Sequence, residues 1–232
     1  MSLLHSRANE ALKRRCDAFF GSPRVWAEIE AAYSQPHRAH HNLQHLRELF
    51  ESLDPHLDTA PHAKAIELAV WFHDFVYVTD PQAYQHNEMY SAGAMAEVLS
   101  RTAPHWLEDA LSQQVALASE FILATKKHSD SAEELQRDAS KLEACRLFLD
   151  ADLSILAAAP GRLQNYDMAI AAEWGQDTTS PSAVFCRGRR DALDSFLKRP
   201  KLFLCPQFSG LEAAARKNLQ ALVEHWQAKA AV

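Results

Sequence analysis

The sequence lacks the features that mark several common classes of protein. Only 6 of its 232 residues are glycine, which argues against a turn-rich β-sandwich. The formal net charge is −6, so we expect no general nucleic-acid-binding surface. No stretch reaches the roughly 18 consecutive apolar residues of a membrane span, and residues 1–16 lack the apolar run of a secretory signal peptide. With an apolar fraction of 47%, the chain is predicted to be a compact cytoplasmic protein without a membrane partner.

Cysteine is scarce and scattered. The 4 cysteines form no Cys-x-x-Cys pair, so the sequence contains neither a zinc-ribbon nor a redox motif. We therefore expect reduced, mostly buried thiols at Cys16, Cys145, Cys186 and Cys205.

Apolar residues recur at helical spacing along almost the whole chain, which predicts an all-α fold of about nine or ten helices. Ser22-Pro23 is typical of an N-cap followed by proline at the first helical position, and Pro55 is expected beyond the end of its helix. Residues 76–81 and 126–138 are predicted to be loops, because a proline interrupts the first segment and the second is polar. The helices are predicted at residues 6–20, 22–33, 42–53, 61–74, 87–99, 104–122, 141–156, 166–174, 181–197 and 210–227.

Histidine and aspartate are placed in a way that suggests a metal site. His41 and His45 are one helical turn apart and can face the same way. The apolar helix predicted at 61–74 ends in His73-Asp74, and a buried aspartate costs several kcal/mol unless a cation or hydrogen bonds compensate it. Metal binding is one interpretation of Asp74. The alternatives are a carboxylate that ends the helix or one that pairs with an arginine such as Arg38.

Other helices must complete such a site, because neighbouring residues on a helix point about 100° apart. The candidates are His41, His45, Glu88, His128 and Asp152. Asp150 and Asp152 both interrupt the apolar segment 147–156, and its periodicity does not decide which one turns inward. A solvent-facing Asp150 is the simplest interpretation. Imidazole and carboxylate ligands together favour a first-row transition metal or magnesium over calcium.

Three motifs, taken in order, resemble the HD-domain superfamily of metal-dependent phosphohydrolases. They are His41-Asn42-Leu43-Gln44-His45, His73-Asp74 and Ala151-Asp152-Leu153-Ser154, and they are similar to those of its cyclic-nucleotide phosphodiesterase branch. A group of bacterial predicted phosphohydrolases in this superfamily is more similar still, over about residues 33–216. The positions that carry this second likeness are Arg38, Tyr77, Asn87-Glu88, Ser91-Ala92, Ala124-Thr125, His128 and residues 190–199.

The resemblance implies a domain organisation and a set of site roles. It implies one HD-like helical domain over residues 1–232, with residues 1–33 and 177–232 as helical extensions packed on a metal-site core of 34–175. The implied ion is divalent, with Mn, Fe, Co, Ni, Zn or Mg as candidates, in one or two copies. The catalytic residues would be Asp74, as a ligand, and His41, as the acid that protonates the leaving group. The implied metal ligands are His45, His73, Asp74 and Asp152.

The implied reaction is hydrolysis of a small phosphorylated substrate by metal-activated water. Arg38, Lys126 and Lys127 are candidates for binding the phosphate. Glu88 and His128 are second-tier candidates that would contact the substrate or a second ion. Their alternative roles are an ordinary solvent-facing carboxylate and an ordinary loop histidine.

Two other functions fit the same residues. Some HD-type sites hold two irons and cleave substrates with dioxygen, and histidine and carboxylate ligands permit either chemistry. A nucleotide- or metal-binding regulatory module would use the same ligands without turnover. The sequence leaves the substrate open among nucleotide monophosphates, cyclic nucleotides and other small phosphoesters, and it leaves the oligomeric state open.

Overall fold

The computed structural model describes residues 3–231, and over that range it contains helices and no strand. The α-helices are α1 (Leu3–Phe20), α2 (Pro23–Tyr33), α3 (Leu43–Leu57), α4 (Ala63–Phe72), α5 (Asn87–Thr102), α6 (Asp109–Thr125), α7 (Glu133–Gln136), α8 (Ala139–Leu153), α9 (Pro160–Glu173), α10 (Ala183–Leu197) and α11 (Glu212–Ala230). Short 3-10 turns lie at Tyr84–His86, Pro104–Leu107, Ser154–Ala157 and Pro206–Leu211. Because only α7 is as short as one turn, the predicted all-α fold with about nine or ten helices is confirmed.

The chain divides into two compact units, one ending at Phe148 and the other beginning at Leu149. The division falls inside α8. The single HD-like domain with helical extensions stays a prediction.

The first unit is organised around α4. The seven apolar residues between Ala65 and Phe72 have 0% exposure, and α4 contacts α3, α5 and α6. The Trp71 ring lies 4.7 Å from the ring of Phe50 and 6.3 Å from that of Phe20, measured between centroids. Each large apolar side chain buried in this way contributes about 1.5–3 kcal/mol to stability. The residues that follow α4 are therefore held in a fixed place.

Two helix ends differ from the prediction. Pro55 lies inside α3, which continues to Leu57, so its predicted position beyond the helix is wrong. Leu53 and Leu57 are one turn apart and both buried, and their burial keeps the last turn helical although proline donates no backbone hydrogen bond. Ser22 precedes α2 and its proline as predicted, but its hydroxyl donates to the Thr102 carbonyl (2.7 Å) instead of capping the helix.

The two predicted loops have different outcomes. Residues 76–81 form no helix or strand, as expected. Residues 126–138 are not entirely a loop, because they contain α7, and the buried Leu135 gives this turn an apolar contact that the polar composition concealed.

The start of α6 differs from the prediction. Pro104 opens a 3-10 turn, and α6 itself begins at Asp109.

The second unit contains α9, α10 and α11, and both α9 and α11 contact the 3-10 turn at Ser154–Ala157. Asp150 is buried, and its carboxylate accepts backbone hydrogen bonds from Leu204 (2.8 Å) and Cys205 (2.7 Å). The interpretation that Asp150 faces solvent is therefore wrong. Its carboxylate anchors the irregular segment between α10 and α11, where the backbone N–H groups have no helical partners.

The burial of the cysteines and the lengths and polarity of the helices agree with what the sequence predicts. All four cysteines are buried and none is in a disulfide. Within residues 3–231, every helix is too short or too polar to cross a membrane. A cytoplasmic location stays a prediction.

Replacing the anchor of the second unit should destabilise the fold. We expect Asp150→Ala to lower the free energy of unfolding by roughly 2–4 kcal/mol, because two buried backbone N–H groups lose a charged acceptor. Denaturant unfolding followed by circular dichroism measures this loss. Asp191→Ala is the matched control, because the side chain of Asp191 is 65% exposed and its ion pair with Arg190 lies on the surface. Equal stabilities of the two variants would contradict this role of Asp150.

Candidate metal centre

His73 follows the last residue of α4 and is 2% exposed. Its Nδ1 atom lies 3.0 Å from the carbonyl oxygen of Val70. A carbonyl oxygen only accepts hydrogen bonds, so Nδ1 carries the proton, and Nε2 of a neutral ring carries the lone pair. Histidines that bind metals commonly fix their second nitrogen in this way.

His45 lies in the first turn of α3 and is 4% exposed. This helix starts at Asn42, whose side-chain oxygen accepts a hydrogen bond from the Gln44 N–H (2.8 Å). The packing of α3 against α4 brings Nε2 of His45 to 3.0 Å from Nε2 of His73. These two histidines therefore meet in the first unit, as the resemblance implied.

Asp74 adds a carboxylate to the two imidazoles. Its Oδ2 atom lies 3.0 Å from Nε2 of His73 and 3.7 Å from Nε2 of His45. The backbone of Asp74 is held on both sides: its N–H donates to the Tyr33 hydroxyl (3.2 Å), and its carbonyl accepts from Nη1 of Arg38 (2.6 Å). The carboxylate is consequently fixed against the histidine pair.

These contacts call for a positive charge among the three side chains. In a neutral His73, the lone pair of Nε2 faces the lone pairs of the Asp74 oxygen at 3.0 Å, which is repulsive. A single additional proton can satisfy only one of the contacts between these atoms. A cation at their centre can satisfy all of them together, as metal ligands do.

The separations also fit one ion. Around an ion with metal–ligand bonds of about 2.1 Å, neighbouring donor atoms lie about 3.0 Å apart in octahedral geometry and about 3.4 Å apart in tetrahedral geometry. The three donor atoms of His45, His73 and Asp74 are separated by 3.0, 3.0 and 3.7 Å. This group of side chains could therefore hold a metal ion.

The electrostatics of the cluster keep Asp74 ionised. Burial disfavours the charged carboxylate, but positive charge on a protonated His73, on His41 and on His45, together with the hydrogen bond that a protonated His73 donates, outweighs it and holds the pKa of Asp74 well below its usual range. In a metal-bound cluster the ion takes the place of these protons, and Asp74 is its anionic ligand.

His41 lies at the more accessible side of the cluster. Its side chain is 18% exposed, against 4% for His45, and its Nε2 is 4.0 Å from Oδ2 of Asp74. The ring of Tyr77 stacks on the His41 imidazole with the centroids 4.0 Å apart and the planes 28° apart. Tyr77 therefore fixes the orientation of the imidazole.

Residues 76–78, which we call the strap, hold Tyr77 in place. The N–H and carbonyl groups of Val78 pair with the side-chain amide of Asn87 (3.1 and 2.9 Å), in the manner of a short strand contact. The hydroxyl of Ser91, one turn further along α5, binds the N–H and carbonyl of Val76 (3.0 and 3.2 Å). Two polar side chains of α5 thereby fasten an irregular segment and turn Tyr77 onto His41.

Arg38 is buried and directs most of its N–H groups to backbone carbonyls around the site. Its Nη1 atom donates to the carbonyls of His41 (3.1 Å) and Asp74 (2.6 Å), and its Nη2 atom donates to that of Phe75 (2.9 Å). Together with a bond to Gln35, at least four of the five N–H groups are engaged. The predicted phosphate contact stays a prediction, and the geometry assigns Arg38 a positioning role.

Glu88 lies in the first turn of α5, and its charge interacts with that of Asp74. Burial raises the pKa of its carboxyl group, Lys126 and His128 lower it, and Asp74 raises it further, so these charges act on one another. The ammonium of Lys126 donates to the Gln85 carbonyl (2.6 Å). Whether Glu88 or His128 is a ligand stays a prediction.

The remaining predicted residues are less informative. Lys127 is exposed in the turn after α6. Asp152 is half-buried on α8 in the second unit, and its role as a ligand stays a prediction. His40, which the sequence left outside the set of expected ligands, is buried, with its ring centroid 4.8 Å from those of both His41 and His45. Only its position next to His41 indicated that His40 lies near the site, because an irregular segment has no apolar periodicity from which burial can be predicted.

No protein-family model, curated protein or solved structure matches this chain. The function proposed for this chain therefore rests on the arrangement of the side chains in this cluster.

Metal binding should stabilise the protein through His73. We expect Mn²⁺ or Zn²⁺ to raise the melting temperature of metal-free protein, since an ion at 100 times its Kd adds about 2.7 kcal/mol to the folded state. His73→Ala should abolish this shift, and His105→Ala, on the exposed turn Pro104–Leu107, should retain it. Thermal scans with and without a chelator make the comparison. A full shift in His73→Ala would place the ion elsewhere.

Arg38 should strengthen metal binding without coordinating the ion. Arg38→Lys should weaken metal binding by roughly 10–100-fold, because an ammonium group cannot hold the carbonyls of His41, Asp74 and Phe75 together. Calorimetric titration with Mn²⁺ measures the change. Arg47→Lys is the matched control, because Arg47 donates to Asn9. Unchanged affinity in Arg38→Lys would refute the positioning role.

Proposed function

We propose that this chain is a metal-dependent phosphohydrolase that cleaves a phosphoester of a nucleotide or another small phosphorylated metabolite. The observation that carries the proposal is the convergence of His45, His73 and Asp74 within 3.7 Å, with His41 beside them. The resemblance of the motifs to HD-domain phosphohydrolases supports it from the sequence.

In this proposal His45, His73 and Asp74 hold a divalent ion, and Asp152 is the fourth ligand. The assignment of Asp152 rests on the sequence resemblance alone. When bound, the ion supplies Lewis acidity toward a phosphoryl oxygen and lowers the pKa of a coordinated water.

His41 is the proposed general acid. Its ring is more exposed than those of His45 and His73, so a substrate can reach it, and the stacked Tyr77 restricts its rotation. An imidazole that titrates near neutrality can hold a proton on Nε2 and give it to the departing oxygen of the phosphoester.

The charge of the phosphate would be met by lysine rather than by Arg38. Arg38 already uses four N–H groups on neighbouring oxygens, whereas Lys126 and Lys127 are exposed at the end of α6. Lys126 and His128 also act electrostatically on Glu88, which carries the opposite charge. We propose that these groups orient the substrate or a second ion.

A phosphoester screen with Mn, Fe, Co, Ni, Mg or Zn added separately tests the proposal. His41→Ala should reduce kcat by roughly 100–10,000-fold and retain the thermal shift caused by the metal, because it removes a proton donor and leaves the ligands in place. His73→Ala should lose both properties, and His105→Ala should lose neither. Phosphate release and melting temperature are measured on the same preparations.

The same screen separates the alternatives. Turnover that requires dioxygen and disappears under anaerobic conditions would identify an oxygenase and refute the hydrolase proposal. Tight nucleotide binding by the metal-loaded protein, without phosphate release from any substrate, would identify a regulatory module instead.

A further inference from the structure

The second unit contains a cavity of about 470 Å³ between α9 and α11. This volume lies in the range of roughly 300–1,000 Å³ that is typical of small-molecule sites. All of its lining residues lie between Pro160 and Lys229, and none of them was assigned to the metal centre. The cavity is therefore a separate feature that the proposed hydrolysis does not use.

Most of the cavity wall is apolar. Leu163, Met168, Leu222 and Trp226 all line it. Met168 is 44% exposed, and a flexible thioether of this kind can adapt to ligands of different shape. The Trp226 indole is fixed, because its Nε1 donates to Asp167 (2.8 Å), and it presents a rigid aromatic surface.

The charged groups of the cavity favour an anion. Its one carboxylate, that of Asp167, is buried and already paired with Nε of Arg189 (3.0 Å) and with Trp226. The two cations that line the cavity are Lys217 and Lys229. A local positive charge in a chain of formal net charge −6 is suited to a negatively charged ligand.

Lys217 is the better placed of the two cations. Lys229 donates to the Thr178 carbonyl (3.3 Å), whereas the ammonium group of Lys217 has no hydrogen bond or ion pair with any residue that the structure describes. The next residue, Asn218, fixes this part of α11 by donating to the carbonyls of Leu156 (2.8 Å) and Ala158 (2.9 Å). The ammonium group thus extends from an anchored turn.

We propose that this cavity binds a small amphipathic anion. The apolar body of the ligand lies against Trp226 and Leu222, and its anionic head group pairs with Lys217. Burial of the apolar surface of the ligand supplies the driving force for binding, and the ion pair with Lys217 selects a charged ligand over a neutral one.

Titration of the full chain with octanoate, octyl phosphate and 1-octanol tests the proposal. Calorimetry and tryptophan fluorescence report binding, because Trp226 lines the cavity. We expect at least one of the two anions to bind more tightly than the alcohol. Lys217→Glu should weaken binding of that anion by roughly three- to tenfold and leave the alcohol unchanged. Lys201→Glu is the matched control, because Lys201 is exposed and lies outside the cavity.

A second variant tests the cavity itself. Ala221 is exposed and lines it, so Ala221→Phe should fill the space and abolish binding of all three compounds while the helical signal and melting temperature are retained. Undiminished binding to Ala221→Phe, equal affinity for the alcohol and both anions, or no binding at all would overturn the proposal. Wild-type dimers that Ala221→Phe dissociates would show that a second copy covers the cavity, which would also overturn it. None of these readouts depends on phosphoester turnover.

Discussion

The approach of Nε2 of His73 to Oδ2 of Asp74 is the contact on which the candidate site depends. When His73 is neutral, two electron-rich atoms lie 3.0 Å apart at the end of α4, which is buried along its length. Burial of Trp71 and Phe72 alone contributes about 3–6 kcal/mol to stability, so the fold can maintain an unfavourable contact at the end of the helix. A cation converts this unfavourable contact into a favourable one.

The irregular segments around this contact are held by side chains. Backbone N–H and carbonyl groups outside helices need partners when they are buried, and here polar side chains provide them. Arg38 binds three backbone carbonyls, and Asn87 and Ser91 fasten the strap that carries Tyr77. These residues lie close to the candidate site, yet their observed contacts are with the protein itself. Polar residues next to a metal-type cluster are thus as important for shaping it as for chemistry.

Helical spacing made the fold class predictable from the sequence, whereas the pairing of His45 with His73 was implied by the resemblance of their motifs. Apolar periodicity is a local property, and it located α3 and α4 directly. It did not predict the role of Arg38 or Asp150, because their partners are distant in sequence: 36 residues separate Arg38 from Asp74, and 55 separate Asp150 from Cys205. The prediction that Pro55 lies beyond its helix was wrong for a related reason, because the buried leucines on either side of Pro55 continue the helix.

The joining of α3 and α4 at His45 and His73 has a consequence for exchange of the ion. These residues are 28 apart in the sequence, so a shared ion would act as a cross-link that closes the intervening chain into a loop. In an unfolded chain, only the adjacent His73-Asp74 pair would remain to coordinate the ion, and binding would be much weaker. A bound ion would thus oppose separation of α3 from the buried α4, which couples occupancy of the site to the opening of this part of the hydrophobic core.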